Sequence, residues 1–146
     1  MTRINSAIKP SQLTDSHLLS EIRELPRIFT AVMKRVGQGK GFDDIPDKFT
    51  LGTGHVKFFY DKCGFLLSRH LSLRQEYYKR FGKVYPFDSE RLKGIPDNLC
   101  QPYLLTTTEE RSLLVNRIST RIRESKQKPR YYGKDISKEE AVELLN

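Results

Sequence analysis

The sequence predicts an all-α fold, a single compact domain of three main helices joined by long ordered loops. Three stretches repeat apolar residues at helical spacing, whereas no alternating run of strand length stands out in the connections between them. A chain of 146 residues can bury roughly two thirds of its unfolded surface, which suffices for a core without metal ions or disulfides.

The first helix is predicted from Asp15, a candidate N-cap, to Gly37. Pro26 lies inside this stretch and has no backbone N–H to donate. We therefore expect either a kinked helix or two helices that share one apolar stripe. The stripe repeats at spacings of four and three and consists of Leu18, Ile22, Leu25, Phe29, Val32 and Val36.

The second helix is predicted over about residues 60–81, with Gly82 as its C-terminal stop. The third is predicted to open with a capping box at Thr106 or Thr107 and to run to about Lys126. Each helix has one apolar stripe, formed by Cys63, Leu66, His70, Leu73 and Tyr77 in the second and by Leu114, Ile118 and Ile122 in the third.

The charge is unevenly distributed along the chain. Lys and Arg number 26 against 18 Asp and Glu, a net charge of +8, and the range 111–134 holds eight basic residues against one acidic residue. Cations interleaved with Tyr131 and Tyr132 are typical of nucleic-acid-binding surfaces. The two tyrosines could equally be core anchors that fix the chain after the third helix.

The last residues, 135–146, reverse the sign of the charge. Ser137 and Glu140 there fit a capping box, which predicts one or two helical turns. We therefore divide the chain into a main domain, residues 1–134, and a short acidic C-terminal extension, residues 135–146.

Several functional classes are disfavoured by the composition. The longest apolar runs fall short of the roughly 18 residues of a spanning helix, and the first residues lack the apolar stretch of a signal peptide. Cys63 and Cys100 lack motif spacing, as do His17, His55 and His70, so reduced thiols and no metal site are expected. We expect a cytoplasmic monomer that does not contact membranes and needs no cofactor.

Two arginine pairs are spaced four residues apart on the predicted helices. Arg23 and Arg27 lie on the side of the first helix away from its apolar stripe, with Glu24 beside them. Like charges at this spacing repel by roughly a few tenths of a kcal/mol. Such a face is either solvated, with Glu24 neutralising Arg27, or it binds an anion.

Arg117 and Arg121 repeat the spacing on the third helix, where they could follow a phosphate backbone.

Four short motifs follow one another along the chain: Met1-Thr2-Arg3-Ile4-Asn5, Arg23-Glu24-Leu25-Pro26-Arg27, Gly54-His55-Val56 with Phe58-Phe59-Tyr60-Asp61-Lys62, and Tyr131-Tyr132-Gly133-Lys134. Together they resemble the pyrimidine-dimer DNA glycosylase/AP lyase family, the ultraviolet endonuclease V type of T-even phages. The resemblance spans about residues 1–134 and is weakest over residues 83–103. It implies an all-α domain of three helices that needs no metal.

The resemblance also implies a mechanism. Met1 would be removed, and the freed α-amine of Thr2 would attack the sugar of the damaged nucleotide, expel the base and form a Schiff base. β-Elimination assisted by Glu24 would then break the strand. An α-amine suits this role because its pKa is about 7.8 against about 10.4 for lysine, so more of it is neutral at pH 7.

The implied substrate is double-stranded DNA that contains damaged pyrimidines. The family positions that bind this DNA correspond to Arg3, His17, Arg23, Arg27, Lys34, Lys83, Arg117, Arg121 and Tyr132. Arg3, Arg23 and Arg27 would hold the phosphates beside the lesion, and Lys83 would begin a loop that enters a groove.

Two alternatives remain open at this point. The chain could be a non-catalytic nucleic-acid-binding module of the same fold, although such a module needs neither Thr2 nor Glu24. It could also be an AP lyase with a shifted damage specificity, because Lys128 and Pro129 stand where the best-known member of the family carries aromatic residues just before the Tyr-Tyr-Gly-Lys motif.

Overall fold

The structure, a computed structural model, describes residues 2–104 and 107–146. Within these residues the chain forms helices α1 (Asp15–Glu24), α2 (Pro26–Gly37), α3 (His55–Phe58), α4 (Cys63–Phe81), α5 (Thr108–Glu124) and α6 (Lys138–Glu143). A two-residue hairpin, β1 (Arg130–Tyr131) with β2 (Lys134–Asp135), is the only sheet among them. The predicted all-α fold is confirmed.

The predicted first helix divides at Pro26 into two helices that share one apolar stripe. Leu25 keeps helical dihedral angles (φ −54°, ψ −43°), and Pro26 takes the first position of α2, where no N–H is needed. The stripe is buried at Leu18, Ile22, Leu25, Phe29 and Val32.

Asp15 is not the N-cap that the sequence predicts. Thr14 occupies the N-cap position, and Asp15 is the first residue of α1. The Asp15 carboxylate instead accepts the backbone N–H groups of Tyr132 (3.1 Å) and Gly133 (2.9 Å), together with Arg80. It therefore fixes the hairpin that follows α5 to the start of α1.

The second long helix starts three residues later than predicted, at Cys63. Lys62 has non-helical backbone angles and pairs with Cys100 in an isolated antiparallel bridge. A Cβ atom on Gly64 would lie 2.5 Å from the Cys100 carbonyl oxygen, so glycine permits this close approach. Gly82 ends α4 with φ +67°, as predicted.

Thr107 is the N-cap of α5, and its hydroxyl accepts the Glu110 N–H; the helix ends at Glu124, two residues before the predicted end. The alternative capping box at Thr106 lies outside the described residues. The C-terminal residues 135–146 do not stand apart from the domain. Their predicted capping box at Ser137 opens α6, and Ala141 (0% exposed) and Leu145 (1% exposed) join the hydrophobic core.

The N-terminal residues also run through the core, because Ile4 and Ile8 are both 0% exposed. The helices therefore pack around the first residues of the chain. No described helix is both long and apolar enough to span a membrane.

Candidate active site

The N-terminal segment, residues 4–8, is held by side chains from α1, α3, α4 and α5. The Ile4 N–H donates to His55 (2.9 Å), Asn5 donates to Glu21 (2.8 Å), Ser6 donates to Glu110, and the carbonyls of Ala7 and Ile8 accept from Arg111 (2.8 Å) and Arg69 (2.6 Å). Chain termini are usually poorly ordered unless they are tied down. These contacts fix the path of the chain immediately after Thr2, which is itself only 9% exposed.

His55 has one tautomer in this arrangement. Its Nε2 accepts the Ile4 N–H, so Nδ1 carries the proton and donates to the Thr50 carbonyl at 2.7 Å. Burial lowers the pKa of His55 to about 4, and the cations Arg3 and Arg117 add to this effect. The imidazole is therefore neutral at pH 7 and remains an acceptor for the N-terminal segment.

A buried ion pair also contacts the N-terminal segment. Arg69 of α4 contacts both carboxylate oxygens of Glu21 in α1, at 2.7 and 3.0 Å. The two side chains are 6% and 1% exposed. Because Glu21 also accepts from Asn5 and Arg69 donates to the Ile8 carbonyl, the pair connects two helices to the N-terminal segment.

A cavity of about 250 Å³ lies beside this segment. We call it the arginine cavity, and its ionisable lining is Arg3, His17, Glu21, Glu24, Arg117 and Arg121. Arg3 precedes the N-terminal segment, and α1 and α5 supply the rest of this lining. The structure thus brings together six residues that are spread over the sequence from position 3 to position 121.

The arginine cavity concentrates positive charge. Among the described residues no carboxylate lies within ion-pair distance of Arg3, Arg117 or Arg121. Burial and Arg121 lower the pKa of Arg3, while burial, Arg3 and Arg121 lower that of Arg117. The Nε of Arg3 is buried and has no hydrogen-bond partner in the described structure. This arrangement suits an anion, which would relieve the repulsion between the guanidinium groups.

His17 borders the same cavity and is half-buried. Its Nδ1 lies 2.8 Å from the Thr14 hydroxyl. Burial and the neighbouring Arg121 lower its pKa, so the imidazole is neutral at pH 7. A neutral histidine can accept or donate a hydrogen bond at the mouth of the cavity.

An open groove of about 1160 Å³ adjoins the arginine cavity and shares His17, Arg117 and Arg121 with it. The groove lies between the start of α1 and the end of α5 and extends to Lys128 and Arg130. Its basic lining offers a path for a polyanion toward the cavity.

A family model described as pyrimidine dimer DNA glycosylase matches residues 1–90. The chain belongs to this family. In general terms its function is therefore that of a DNA glycosylase for pyrimidine dimers, and DNA is its substrate. The match includes the N-terminal segment, His55 and Glu24, whereas α5, with Arg117 and Arg121, lies beyond it.

Five residues that the family resemblance assigns to DNA binding lie outside the arginine cavity: four basic residues and Tyr132. Arg23, Arg27, Lys34 and Lys83 are all exposed. Arg23 borders a neighbouring pocket of about 590 Å³. Arg27 and Lys34 follow along α2, Lys83 lies two residues after the end of α4, and none of the three lines the cavity.

Tyr132 has internal partners in this glycosylase fold. Its hydroxyl donates to Glu76 at 2.9 Å, and the Arg80 guanidinium lies 5.0 Å from its ring centre. The neighbouring Tyr131 hydroxyl donates to the Ser11 carbonyl at 2.8 Å. These contacts favour the interpretation of both tyrosines as anchors, and DNA contact by Tyr132 stays a prediction.

Sequence reasoning did not assign Asn5, Glu21, Arg69 or His55 to the site. A pattern that identifies two of them is present. Glu21 is three residues after Leu18 and four before Leu25, so it lies on the apolar stripe of α1. Arg69 has the same relation to Leu66 and Leu73 in α4. Opposite charges on two apolar stripes indicate a buried pair.

The described residues contain no group of three His, Cys, Asp or Glu side chains that could hold a metal ion. Both cysteines are free thiols. Burial raises the pKa of Cys63 to about 12, so its thiol stays protonated at neutral pH.

Proposed function

We propose that the protein is a monomeric DNA glycosylase with AP lyase activity on ultraviolet-induced pyrimidine dimers in duplex DNA. The nucleophile is the α-amine of Thr2 after removal of Met1, and Glu24 is the catalytic carboxylate. The observation that carries the proposal is the fixed N-terminal segment, which holds the start of the chain beside a cavity lined by two carboxylates, Glu21 and Glu24, and three arginines.

The N-terminal contacts give the nucleophile its position. While Met1 precedes it, the nitrogen of Thr2 is an amide, and removal of Met1 converts it into an amine. Thr2 is 9% exposed, and the next residue, Arg3, lines the cavity. Nearby guanidinium groups disfavour an additional positive charge and so keep more of this amine neutral and able to attack.

The reaction begins when the neutral amine attacks C1′ of the damaged nucleotide. The C1′–N bond to the base breaks, and the base leaves with the electron pair and gains a proton. Opening of the sugar ring gives an imine between the Thr2 nitrogen and C1′. Removal of a C2′ proton then expels the 3′ phosphate by β-elimination and breaks the strand.

Glu24 is suited to two steps of this sequence. It is half-buried on the cavity wall, where its carboxylate can stabilise the cationic sugar and the imine. It can also accept and return protons during ring opening and elimination. Within the described residues Glu24 has no ion-pair partner, so it is not occupied in neutralising Arg27.

The basic residues bind and position the duplex. Arg3, Arg117 and Arg121 hold phosphates at the cavity, and His17 lies at its mouth. The surrounding contacts come from Arg23, Arg27, Lys34, Lys83 and Tyr132. Each phosphate that is neutralised adds about one unit to the slope of log affinity against log salt.

A second candidate is an AP lyase with a shifted lesion preference. Lys128 and Pro129 line the groove at a place where the family carries aromatic residues. A cation and a proline cannot stack on a base as an aromatic ring does, so recognition of the dimer itself would change. Comparison of dimer-containing and abasic duplexes as substrates separates the two candidates.

Substitution of Glu24 by Gln tests the proposed chemistry. The variant keeps the size of the side chain but removes the charge and the proton acceptor, so we expect strand cleavage to fall at least about a hundredfold. Binding to dimer-containing duplex should change by less than roughly threefold. Cleavage is followed on a labelled duplex and binding by anisotropy.

The matched control is Glu90→Gln, because the Glu90 side chain is 65% exposed and Glu90 lies outside the lining of the cavity and of the groove. It removes the same charge and should cleave like the wild type. Full cleavage by Glu24→Gln would exclude Glu24 from the mechanism.

A further inference from the structure

The C-terminal segment, residues 135–146, contacts the helix that carries two arginines of the arginine cavity. Ala141 and Leu145 place the segment in the core. Lys138 is half-buried, and its Nζ donates to the carbonyls of Arg123 (2.9 Å) and Ser125 (2.7 Å) at the end of α5. The segment therefore supplies hydrogen-bond donors to the carbonyl groups at the C-terminal end of α5.

A second contact joins the C-terminal segment to the start of the chain. Arg111, in the first turn of α5, donates to the Leu145 carbonyl at 2.6 Å and to the Ala7 carbonyl at 2.8 Å. One guanidinium thus connects both ends of the chain to α5. Together with Lys138 it fixes the helix at its beginning and at its end.

A cation stabilises the C-terminal end of α5. The last carbonyl groups of a helix have no partner within the helix, and the helix dipole makes this end negative. Arg121 and Arg123 lie in the last turn, so their own side chains could fold back onto these carbonyls. Lys138 supplies hydrogen bonds there from another part of the chain, which leaves Arg121 directed at the cavity.

We propose that the C-terminal segment is a positioning element for the arginine cavity: Lys138 caps α5 and thereby keeps Arg121 available for a DNA phosphate. Lys138 is a positioning residue, since it does not line the cavity. The proposal rests on the proposed function only for its DNA-binding consequence, because the capping of α5 does not depend on catalysis.

The test compares Lys138→Met and Lys138→Arg with the wild-type protein. In Lys138→Met the backbone amides of residues 122–125 should exchange with deuterium roughly two- to fivefold faster, the loss expected for one cation at a helix end. Binding to undamaged duplex DNA is measured against salt. Its log–log slope should fall by up to about one unit as Arg121 turns to the helix end.

Lys138→Arg should restore both quantities, because arginine also donates to carbonyls and keeps the charge. The control Lys79→Met removes a lysine from the last turn of α4, where no carbonyl accepts from it in the described structure, and should leave both unchanged. A lower slope with normal exchange would indicate a direct phosphate contact and overturn the proposal. Faster exchange with a normal slope, no change in either, or failure of arginine to rescue would also overturn it.

Loss of the proposed function has a different signature. If the wild type does not cleave damaged DNA, the catalytic proposal fails, while the exchange and binding measurements on undamaged duplex remain decisive for the role of Lys138.

Discussion

Arginines in two regions of the molecule have opposite environments. On α4, Arg69 and Arg80 are 7% and 9% exposed, and each lies within 3.0 Å of at least one carboxylate oxygen. In the arginine cavity, Arg3, Arg117 and Arg121 have no ion-pair partner among the described residues. The difference separates arginines that are paired within the fold from arginines that have no carboxylate partner among the described residues.

The paired arginines have a structural task. Arg69 joins Glu21 to the N-terminal segment, and Arg80 joins Glu76 to Asp15, which in turn holds the hairpin. The carboxylates of these two clusters are Glu21, Glu76 and Asp15, and each of them accepts from Arg69 or Arg80. Glu21 also lines the arginine cavity, but its carboxylate pairs with Arg69 and not with the cavity arginines.

The largest expected effect comes from breaking the Glu21–Arg69 pair. Arg69→Met leaves the Glu21 carboxylate buried without its cation, and the free energy of unfolding should fall by about 3–5 kcal/mol. Urea unfolding followed by circular dichroism measures this change. The exposed pair Lys93–Glu90 is the control, since Lys93→Met should change stability by less than about 1 kcal/mol. Equal effects of the two variants would contradict the distinction between the regions.

A smaller effect on stability is expected from protonation of His55, whose Nε2 accepts the Ile4 N–H. Its folded pKa, about 4, lies below the ordinary value of 6.5 because the side chain is buried. The neutral form is therefore favoured in the folded state. The contribution of neutral His55 to the free energy of unfolding is complete above pH 6.5. This contribution, up to about 3 kcal/mol, is lost as the pH falls toward 4.

Unfolding of the wild type and of His55→Gln at several pH values isolates this contribution. His17 and His70 also have lowered pKa values, but they are present in both proteins and cancel in the difference. The stability difference between the two proteins should shrink between pH 6.5 and pH 4. A difference that is independent of pH would show that His55 does not titrate as described.

The smallest change in stability is expected from a substitution in the arginine cavity. Arg117→Gln removes one of three mutually repelling cations, so the free energy of unfolding should stay the same or rise by up to about 0.5 kcal/mol. Affinity for duplex DNA should nevertheless decrease, with a salt slope lower by about one unit. A loss of stability above about 1 kcal/mol would place Arg117 with the structural arginines.

Much of the fold is predictable from local patterns. The apolar stripes locate α1, α2, α4 and α5. Gly82 marks the end of α4 because this position has a left-handed backbone conformation, which glycine adopts without strain. The start of α4 and the role of Asp15 are not predictable in this way. Both depend on contacts with Cys100 and Gly133, which are distant in sequence.

The site is predictable to a similar extent. The resemblance predicts Thr2, Arg3 and Glu24 as site residues, and their roles stay predictions, while the arginine spacing on α5 indicates a charged face. The contacts that fix the N-terminal segment join residues up to 104 positions apart, such as Ala7 and Arg111, so no local pattern contains them. Helical spacing reveals the buried pair Glu21–Arg69 only once a charge on an apolar stripe is recognised as a partner.

Borohydride trapping tests the central claim most directly. When the protein without Met1 reacts with dimer-containing duplex in the presence of borohydride, an imine is reduced to a stable amine. We predict a covalent protein–DNA adduct whose cross-linked peptide begins at Thr2, and no adduct when that amine is acetylated or Met1 is retained. An adduct at another residue, or none with a free Thr2, would contradict the account.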